Sequence, residues 1–457
     1  MASLWQRLLP KIFAAVPVPP KARPGTAQSI QPMAQLASQD AEDETVVLGM
    51  GPRRPLIAAD GSIGGFEFRI HHDILSRLGP RADQRGRAAY VAAALTSARL
   101  TAQTGRIGFA RVPLDWLPQA SGVEVCRGVW VGLEQAADPQ DSVQLLAATQ
   151  LVQGLRAKGA KVGWGDAQLP DSAPDFVLLH QGAQPMGAVL RRRMDLPTVV
   201  SALPALVTDV LCLEDLEKAL NQGVHFACGA LAPTGEPSDI REFLPVPPEV
   251  HRVGQLLNQL VIGTDTSSIV SSIKGDVGLS FRLLKRINSA SFAQLHAGAS
   301  IDQAVLLLGR NELYRWLSLL LVQFAGRRKA SSALQEVTLW RARMLELMAL
   351  EAQEATPDQF FTLGLASMLG LILKISTLDV ATTLNLPTPA RQALLEQSGP
   401  WHAYLLTIGQ VEAHALDAHS ALVKRRGGVD RVLALADEAW SWAWAAEHAR
   451  HPDTHPA

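Results

Sequence analysis

Cysteine is scarce in this sequence. The 457 residues hold three, Cys126, Cys212 and Cys228, too few and too scattered for a disulfide framework and with no pair at the C-x-x-C spacing of a metal or redox site. They read as small core hydrophobes in a reducing compartment. Long apolar runs are missing as well: no stretch of 18 uncharged apolar residues occurs, so no segment reads as a transmembrane helix. The opening MASLWQRLLPKIFAAVPVPP carries positive charge, but Pro10 and Lys11 interrupt its apolar stretch, which leaves no adequate secretory h-region. The expected location is cytoplasmic. Neither sign of charge is in excess, with 42 Lys plus Arg against 43 Asp plus Glu. A chain so balanced has no global field to hold a polyanion, so nucleic acid is not an expected partner. The sequence also lacks a G-x-S-x-G nucleophile elbow, a P-loop and a dinucleotide fingerprint. Its nearest glycine cluster, Gly61-Ser-Ile-Gly-Gly65, has the wrong spacing and reads as a hairpin turn after Asp60.

Apolar residues make up 47% and charged residues 19%, enough to bury a sizeable core in more than one domain. Trp5, Leu8, Leu9, Ile12 and Phe13 form an apolar stripe at helical spacing, which reads as a terminal helix or a docking segment for a membrane or protein surface. Residues 14–44 are rich in Pro, Ala, Gln and Ser, lack period, and read as a flexible linker. From 45 to 235 the texture alternates. Strand-like runs are predicted at Thr45–Leu48, Ile107–Val112, Val123–Cys126, Lys161–Trp164, Phe176–Leu179, Thr198–Ser201 and Val224–Ala227. Helix-like stretches lie between some of them, at Ser142–Lys158 and Glu214–Gln222. Strand and helix in repetition require a parallel sheet with crossovers, an α/β layer or barrel. The region is short for a full eight-fold barrel, which takes about 250 residues, so missing elements are expected. After the turn-rich APTGEPSD and Phe243-Leu-Pro-Val-Pro-Pro248, residues 240–450 are helical throughout. Apolar stripes run along Leu279, Leu283, Leu284 and Ile287; Ile301, Val305 and Leu308; Leu313, Trp316, Leu317 and Leu320; and Val337, Trp340, Met344 and Met348. The second is opened by the capping box Ser300-Ile-Asp-Gln303 and closed by Gly309.

The helical half contains FLPVPPEV (243–250), DVGLSFRLLKRINSASF (276–292) and SIDQAVLLLGRNELYRWL (300–317). From Phe243 to about Ala325 these resemble an HDOD domain, the non-catalytic relative of HD-type phosphohydrolases. The resemblance is carried by Asp276, Leu279, Asn288, Ser289, Ala290, Ser300, Ile301, Ala304, Leu308 and Gly309, with Val277 in place of the family's proline. Asn288 and Gly309 suit helix ends and read as structural. Catalytic relatives use one histidine and a later His-Asp pair to hold metal ions. The resemblance places these at Ala342 and at Ser367 and Met368, none of which can serve as such a ligand. It therefore implies no hydrolysis in this half.

The N-terminal half opens with RRPLIAADGSIGGFEFRI (53–70), which resembles the strand, turn and strand that begin an EAL domain of cyclic-di-GMP phosphodiesterases. Glu67 stands at the motif's glutamate, and Phe68 and Arg69 follow where the family has Ala and Leu. The resemblance implies a two-metal site, yet most of the matched positions have lost it. Ala110 or Arg111 stands for a metal-binding Asn. Glu124 matches a metal glutamate, and Arg127 replaces another. Gly165-Asp166-Ala167 stands for Asp-Asp-Phe, Leu178 and His180 for a lysine and an aspartate, and Cys228-Gly229 for a late Gln-Gly. No Glu-Thr pair occurs near Val207-Thr208-Asp209. Glu67, Glu124 and Asp166 remain as carboxylates, with Arg111 and Arg127 near the expected pocket.

His71-His72-Asp73 reads as a solvated turn or helix start. Arg191-Arg-Arg193 and Lys424-Arg-Arg426 lack interleaved aromatics and read as solvated loops. Trp440, Trp442 and Trp444 read as buried against the domain or a partner, with core packing favoured. The expected fold is multidomain: an N-terminal α/β region, degenerate and TIM-like, joined to a C-terminal all-α HDOD domain. The expected function is non-enzymatic signal transduction through contacts with other signalling proteins. A cyclic-di-GMP sensor without turnover is the alternative, and a residual phosphodiesterase a lesser one. No catalytic, metal or cofactor residues are assigned, and no cofactor is expected.

Overall fold

The fold comes from a computed structural model, which describes residues 51–69, 84–134, 142–165, 172–231, 245–287, 300–324, 328–416, 420–425 and 427–448. The amphipathic N-terminus, the linker, Thr45–Leu48, His71-His72-Asp73, Asp166, Asn288, Ser289, Ala290 and Arg426 lie outside them. Two compact units divide the described residues: those within 259–315 form one, and those within 51–258 and 316–448 form the other.

The larger unit is built on eight strands: β1 (Arg54–Ala58), β2 (Ile63–Arg69), β3 (Ile107–Pro113), β4 (Val129–Glu134), β5 (Lys161–Gly163), β6 (Val177–His180), β7 (Ala205–Val210) and β8 (Phe226–Gly229). Their order is β5-β4-β3-β2-β1-β8-β7-β6. β1 runs antiparallel to both of its neighbours, and every other pair is parallel. The edge strands approach each other, since Asp175 N donates to Val162 O at 2.8 Å and Leu178 N to Trp164 O at 3.4 Å. The sheet is thus a nearly closed barrel. Its interior is filled by Leu56, Phe109, Trp130, Phe176, Leu178, Leu206 and Cys228. Trp130 lies 4.7 Å from Phe176 and 5.2 Å from Phe226, ring centre to centre, so the barrel is a packed core and not a pore.

All eight strands are present, and the shortfall among the described residues is in helices. α1 (Gln84–Gln103), α2 (Ser142–Ala157), α3 (Met186–Met194), α4 (Thr198–Ser201) and α5 (Leu213–Asn221) make the outer layer. β3 passes to β4 through a 3-10 turn at Leu114–Ala120, and no helix lies between β5 and β6 among the described residues.

Three strand expectations need correction. Val123–Cys126 is irregular and precedes the true strand, Val129–Glu134. Thr198–Ser201 forms one helical turn, set off by Pro197 at its N-cap. The last strand begins at Phe226, two residues later than expected.

The helices that follow are α6 (Pro248–Val261), α7 (Thr266–Lys274), α8 (Val277–Ile287), α9 (Ile301–Gln323), α10 (Ser331–Glu351), α11 (Pro357–Leu373), α12 (Thr377–Thr383), α13 (Thr388–Leu395), α14 (His402–Glu412), α15 (Ala421–Arg425) and α16 (Val429–His448). The capping box is present at the start of α9: Ser300 N donates to Gln303 Oε1 at 2.9 Å and Gln303 N to Ser300 Oγ at 3.3 Å. Gly309 breaks α9 with φ 69° and ψ 170°, a conformation open to glycine alone. The predicted stripes face inward at Leu279, Leu283 and Ile287, at Val305 and Leu308, at Leu313, Trp316, Leu317 and Leu320, and at Val337, Trp340, Met344 and Met348.

Candidate functional site at the barrel mouth

In a parallel barrel the C-terminal strand ends gather residues from several strands at one mouth. Here that mouth holds a cluster of charges. Side chains alternate along a strand, so Phe109 in the core places Arg111 inward above it, and Leu56 does the same for Arg54 on the antiparallel β1. Arg54 and Glu67 are register partners across β1 and β2. β4 ends in Glu134, β6 in His180, and β7 carries Asp209.

The guanidinium of Arg111 is the centre. Its Nη1 lies 2.5 Å from Asp209 Oδ2 and 3.3 Å from Glu67 Oε1, its Nε donates to Glu134 Oε1 at 2.8 Å, and its Nη2 also meets Glu134. Arg54 adds a second guanidinium, with Nε 3.0 Å from Glu67 Oε2 and Nη2 3.1 Å from Asp209 Oδ1. The Arg54–Glu67 contact is an ion pair without hydrogen-bond alignment. His180 Nδ1 lies 3.0 Å from Asp209 Oδ2.

Burial sets the electrostatics. Glu67 has no exposed surface. Burial alone would push its carboxyl up, but the charges of Arg54 and Arg111 outweigh this and hold it below the usual carboxylate range. Arg111 is desolvated too, yet Glu67, Glu134 and Asp209 raise its pKa further above the ordinary guanidinium value. Below the cluster, burial pushes the Cys228 thiol well up, so it stays protonated and unreactive.

Asp209 enters the mouth through a bulge. Leu206 faces the core, so regular alternation would turn residue 209 away from it. The register of β7 against β8 shifts between Val207 and Val210, and Asp209 takes φ 51°. The bulge re-aims the side chain inward.

The structure brings together Glu67, Arg111 and His180 from the sequence-predicted positions. Ala110 is buried on the opposite face of β3 from Arg111. Leu178 belongs to the apolar core. Glu124 and Arg127 are corrections: both precede β4, at the end of the barrel away from the mouth, and Glu124 is an exposed partner of Arg99 at 2.7 Å. Glu134 and Asp209 are the two carboxylates that sequence reasoning missed.

Among the described residues the donor set at the mouth does not fit a pair of divalent cations. The three mouth carboxylates already converge on guanidinium nitrogens, and Arg111 occupies the space between them. The positions that the HDOD resemblance compares with metal ligands do not fit a metal either. Ala342 is wholly buried, and a Cβ on Gly364 would come within 2.4 Å of its Cα. Beside them Arg341 is held by both oxygens of Glu412 at 2.6 Å, and Ser367 Oγ donates to Gly364 O at 2.7 Å. Among the described residues no three His, Cys, Asp or Glu side chains group as a metal site, and no helix is long and apolar enough to cross a membrane.

Comparison with known proteins matches residues 244–391 to the HDOD domain. Two curated relatives align over part of the chain. YuxH of Bacillus subtilis, an uncharacterized protein, is 28% identical over 171 residues, covering 37% of this chain and 42% of its own. CdgJ of Vibrio cholerae, a cyclic di-GMP phosphodiesterase, is 30% identical over 126 residues, covering 27% and 29%. The chain thus spans less than half the length of either. Similar solved structures include the Xanthomonas citri FimX EAL domain in complex with c-diGMP (14% identity, TM-score 0.30, 39% of this chain and 83% of that one). An EAL domain protein of Listeria monocytogenes is another (15% identity, TM-score 0.29, 39% and 84%). The match to the HDOD domain thus falls in the helical part, behind the nearly closed α/β barrel.

Proposed function

We propose that this protein is a non-catalytic, cytoplasmic signal-transduction protein linked to cyclic-di-GMP pathways, acting as an adaptor through contacts with other signalling proteins. One observation carries the reading: guanidinium groups of Arg54 and Arg111 stand among the mouth carboxylates Glu67, Glu134 and Asp209. Metal-assisted phosphodiester hydrolysis needs a cation that binds water, lowers its pKa and coordinates a phosphoryl oxygen. A guanidinium is a permanent charge that only donates hydrogen bonds. It satisfies the carboxylates and supplies none of that chemistry. Among the described residues three mouth carboxylates face two guanidiniums, a balance that weighs against the sensor alternative. The similarity to a cyclic di-GMP phosphodiesterase supports the signalling context.

Incubation of the full-length protein with cyclic-di-GMP and Mg²⁺ or Mn²⁺ tests this directly. No linear dinucleotide and no micromolar binding heat are expected. Turnover abolished by Glu67→Gln would overturn the reading. Micromolar binding without turnover, lost on Arg111→Met, would establish the sensor instead.

A further inference from the structure

β1 and β2 each present two different faces. On the inner face Arg54 and Glu67 belong to the mouth cluster. Their chain neighbours, Arg53 and Phe66, point the other way and meet helices of the same compact unit. The Phe66 ring lies edge-on to Trp440 of α16 at 4.9 Å, and Trp440 stacks on Trp340 of α10 at 4.9 Å and 15°. Trp340 Nε1 returns to α16 by donating to Ala436 O at 3.1 Å.

Two cations frame the Phe66 ring. Arg53 lies 4.8 Å from its centre and donates from Nη1 to Asp437 Oδ1 at 2.7 Å. Arg106 lies 5.4 Å away and reaches both carboxylate oxygens of Glu336 on α10, at 2.8 and 2.9 Å. At the tip of the same hairpin, Ala333 N donates to Gly61 O at 2.9 Å. One residue's step along either strand therefore separates the buried charges of the mouth from the aromatic and ionic packing of α10 and α16.

We propose that β1 and β2 transmit the charge balance of the barrel mouth to the packing of α10 and α16, so that a ligand or partner engaging the mouth is read at the helical surface. The mechanism is steric and electrostatic. Removing one carboxylate leaves a buried guanidinium under-compensated, and the strand ends that hold Arg54 and Glu67 must shift to restore its partners. Arg53 and Phe66 move with them, because inner and outer side chains share one backbone. A close-packed stack such as Phe66–Trp440–Trp340 resists small displacement and repacks. The inference is independent of whether the mouth turns over a substrate.

Hydrogen exchange of the full chain, resolved by segment, tests it. Glu67→Gln and the milder rim substitution Glu134→Gln are each expected to speed exchange of amides in 435–443 of α16 and 336–344 of α10 by about 2- to 30-fold. Exchange in α12 and α13 is expected to stay unchanged, as is every segment of the helical region in Glu124→Gln, which alters an acid outside the mouth. Adding Phe66→Leu to Glu134→Gln is expected to abolish the transmitted change. Acceleration confined to the barrel strands, or spread equally over all helices, would overturn the proposal. Should Glu67→Gln fail to fold, Glu134→Gln alone decides, since Glu134 sits at the partly exposed rim.

Discussion

Glu67 is held ionised in a place where burial alone would neutralise it, because Arg54 and Arg111 face it. Its folded-state pKa is depressed relative to the unfolded chain, so its contribution to stability is present above the ordinary carboxyl value of about 4.5. That contribution is lost as the pH falls through the lowered value. Urea midpoints measured from pH 7 to pH 3 are expected to fall more steeply in the wild type than in Glu67→Gln. At pH 7 the substitution is expected to cost about 3–5 kcal/mol, because it breaks a buried pair and leaves the guanidiniums behind. Arg111 was legible in the sequence because it stands on a run that reads as a strand, and Glu67 because it stands at the glutamate of the EAL resemblance. Glu134 and Asp209 were not, for two physical reasons. Val123-Glu-Val-Cys126 alternates as a half-exposed strand does, whereas the true strand VWVGLE is buried on both faces and shows no alternation. Asp209 reaches the mouth only through a bulge and a left-handed backbone, which no periodicity announces.

At the scale of elements, helices such as α6 and α8 were legible because each has one buried face and the residues that stop them are local, whereas α10 and α11 are buried on most of their surface. The close crossing of α10 and α11 was not legible, since it depends on two residues 22 positions apart, Ala342 and Gly364. Gly364 is in a helix interior, where glycine costs about 1 kcal/mol relative to alanine, yet a Cβ there would meet the Ala342 Cα at 2.4 Å and its N at 2.7 Å. Gly364→Ala is therefore expected to lower stability by about 1–3 kcal/mol despite the better helix propensity, read as a lower urea midpoint with an unchanged slope. Ala342→His, which would put an imidazole into this close contact, is expected to destabilise as an overpacked core does. Its effect on the urea midpoint should not be relieved by added Mn²⁺, because no room is left for an imidazole to reach a cation.

At the scale of the molecule, the sequence changes texture near residue 235, and this marks a change of secondary-structure class. The larger compact unit nevertheless runs from the barrel through 316–448, and the reason lies in what the outer faces of β1, β2 and α5 bury. Arg53 and Asp437 pair at 2.7 Å and Arg106 and Glu336 at 2.8 Å, each with a nearly inaccessible member. Arg328 donates to Glu217 of α5 and to Leu371 O of α11 at 3.2 Å. A Cβ on Gly61 would overlap Lys329 O at 1.7 Å, and Gly61 has φ 88°, so the hairpin tip fits its seat only as glycine. A fragment ending at residue 235 would expose Phe66 and leave Arg53 and Arg106 without their acids. It would also uncover apolar wall that the full chain keeps from water, at about 25 cal/mol for each Å². Residues 45–235 expressed alone are expected to bind a hydrophobic dye and to lack a cooperative urea transition, while the full chain unfolds its barrel and α10–α16 at one midpoint. Hydrogen exchange resolved by segment along the urea series would follow the two parts. Separate midpoints, or a cooperative transition in the isolated fragment, would show that the barrel stands without the helices and that the shared core is dispensable.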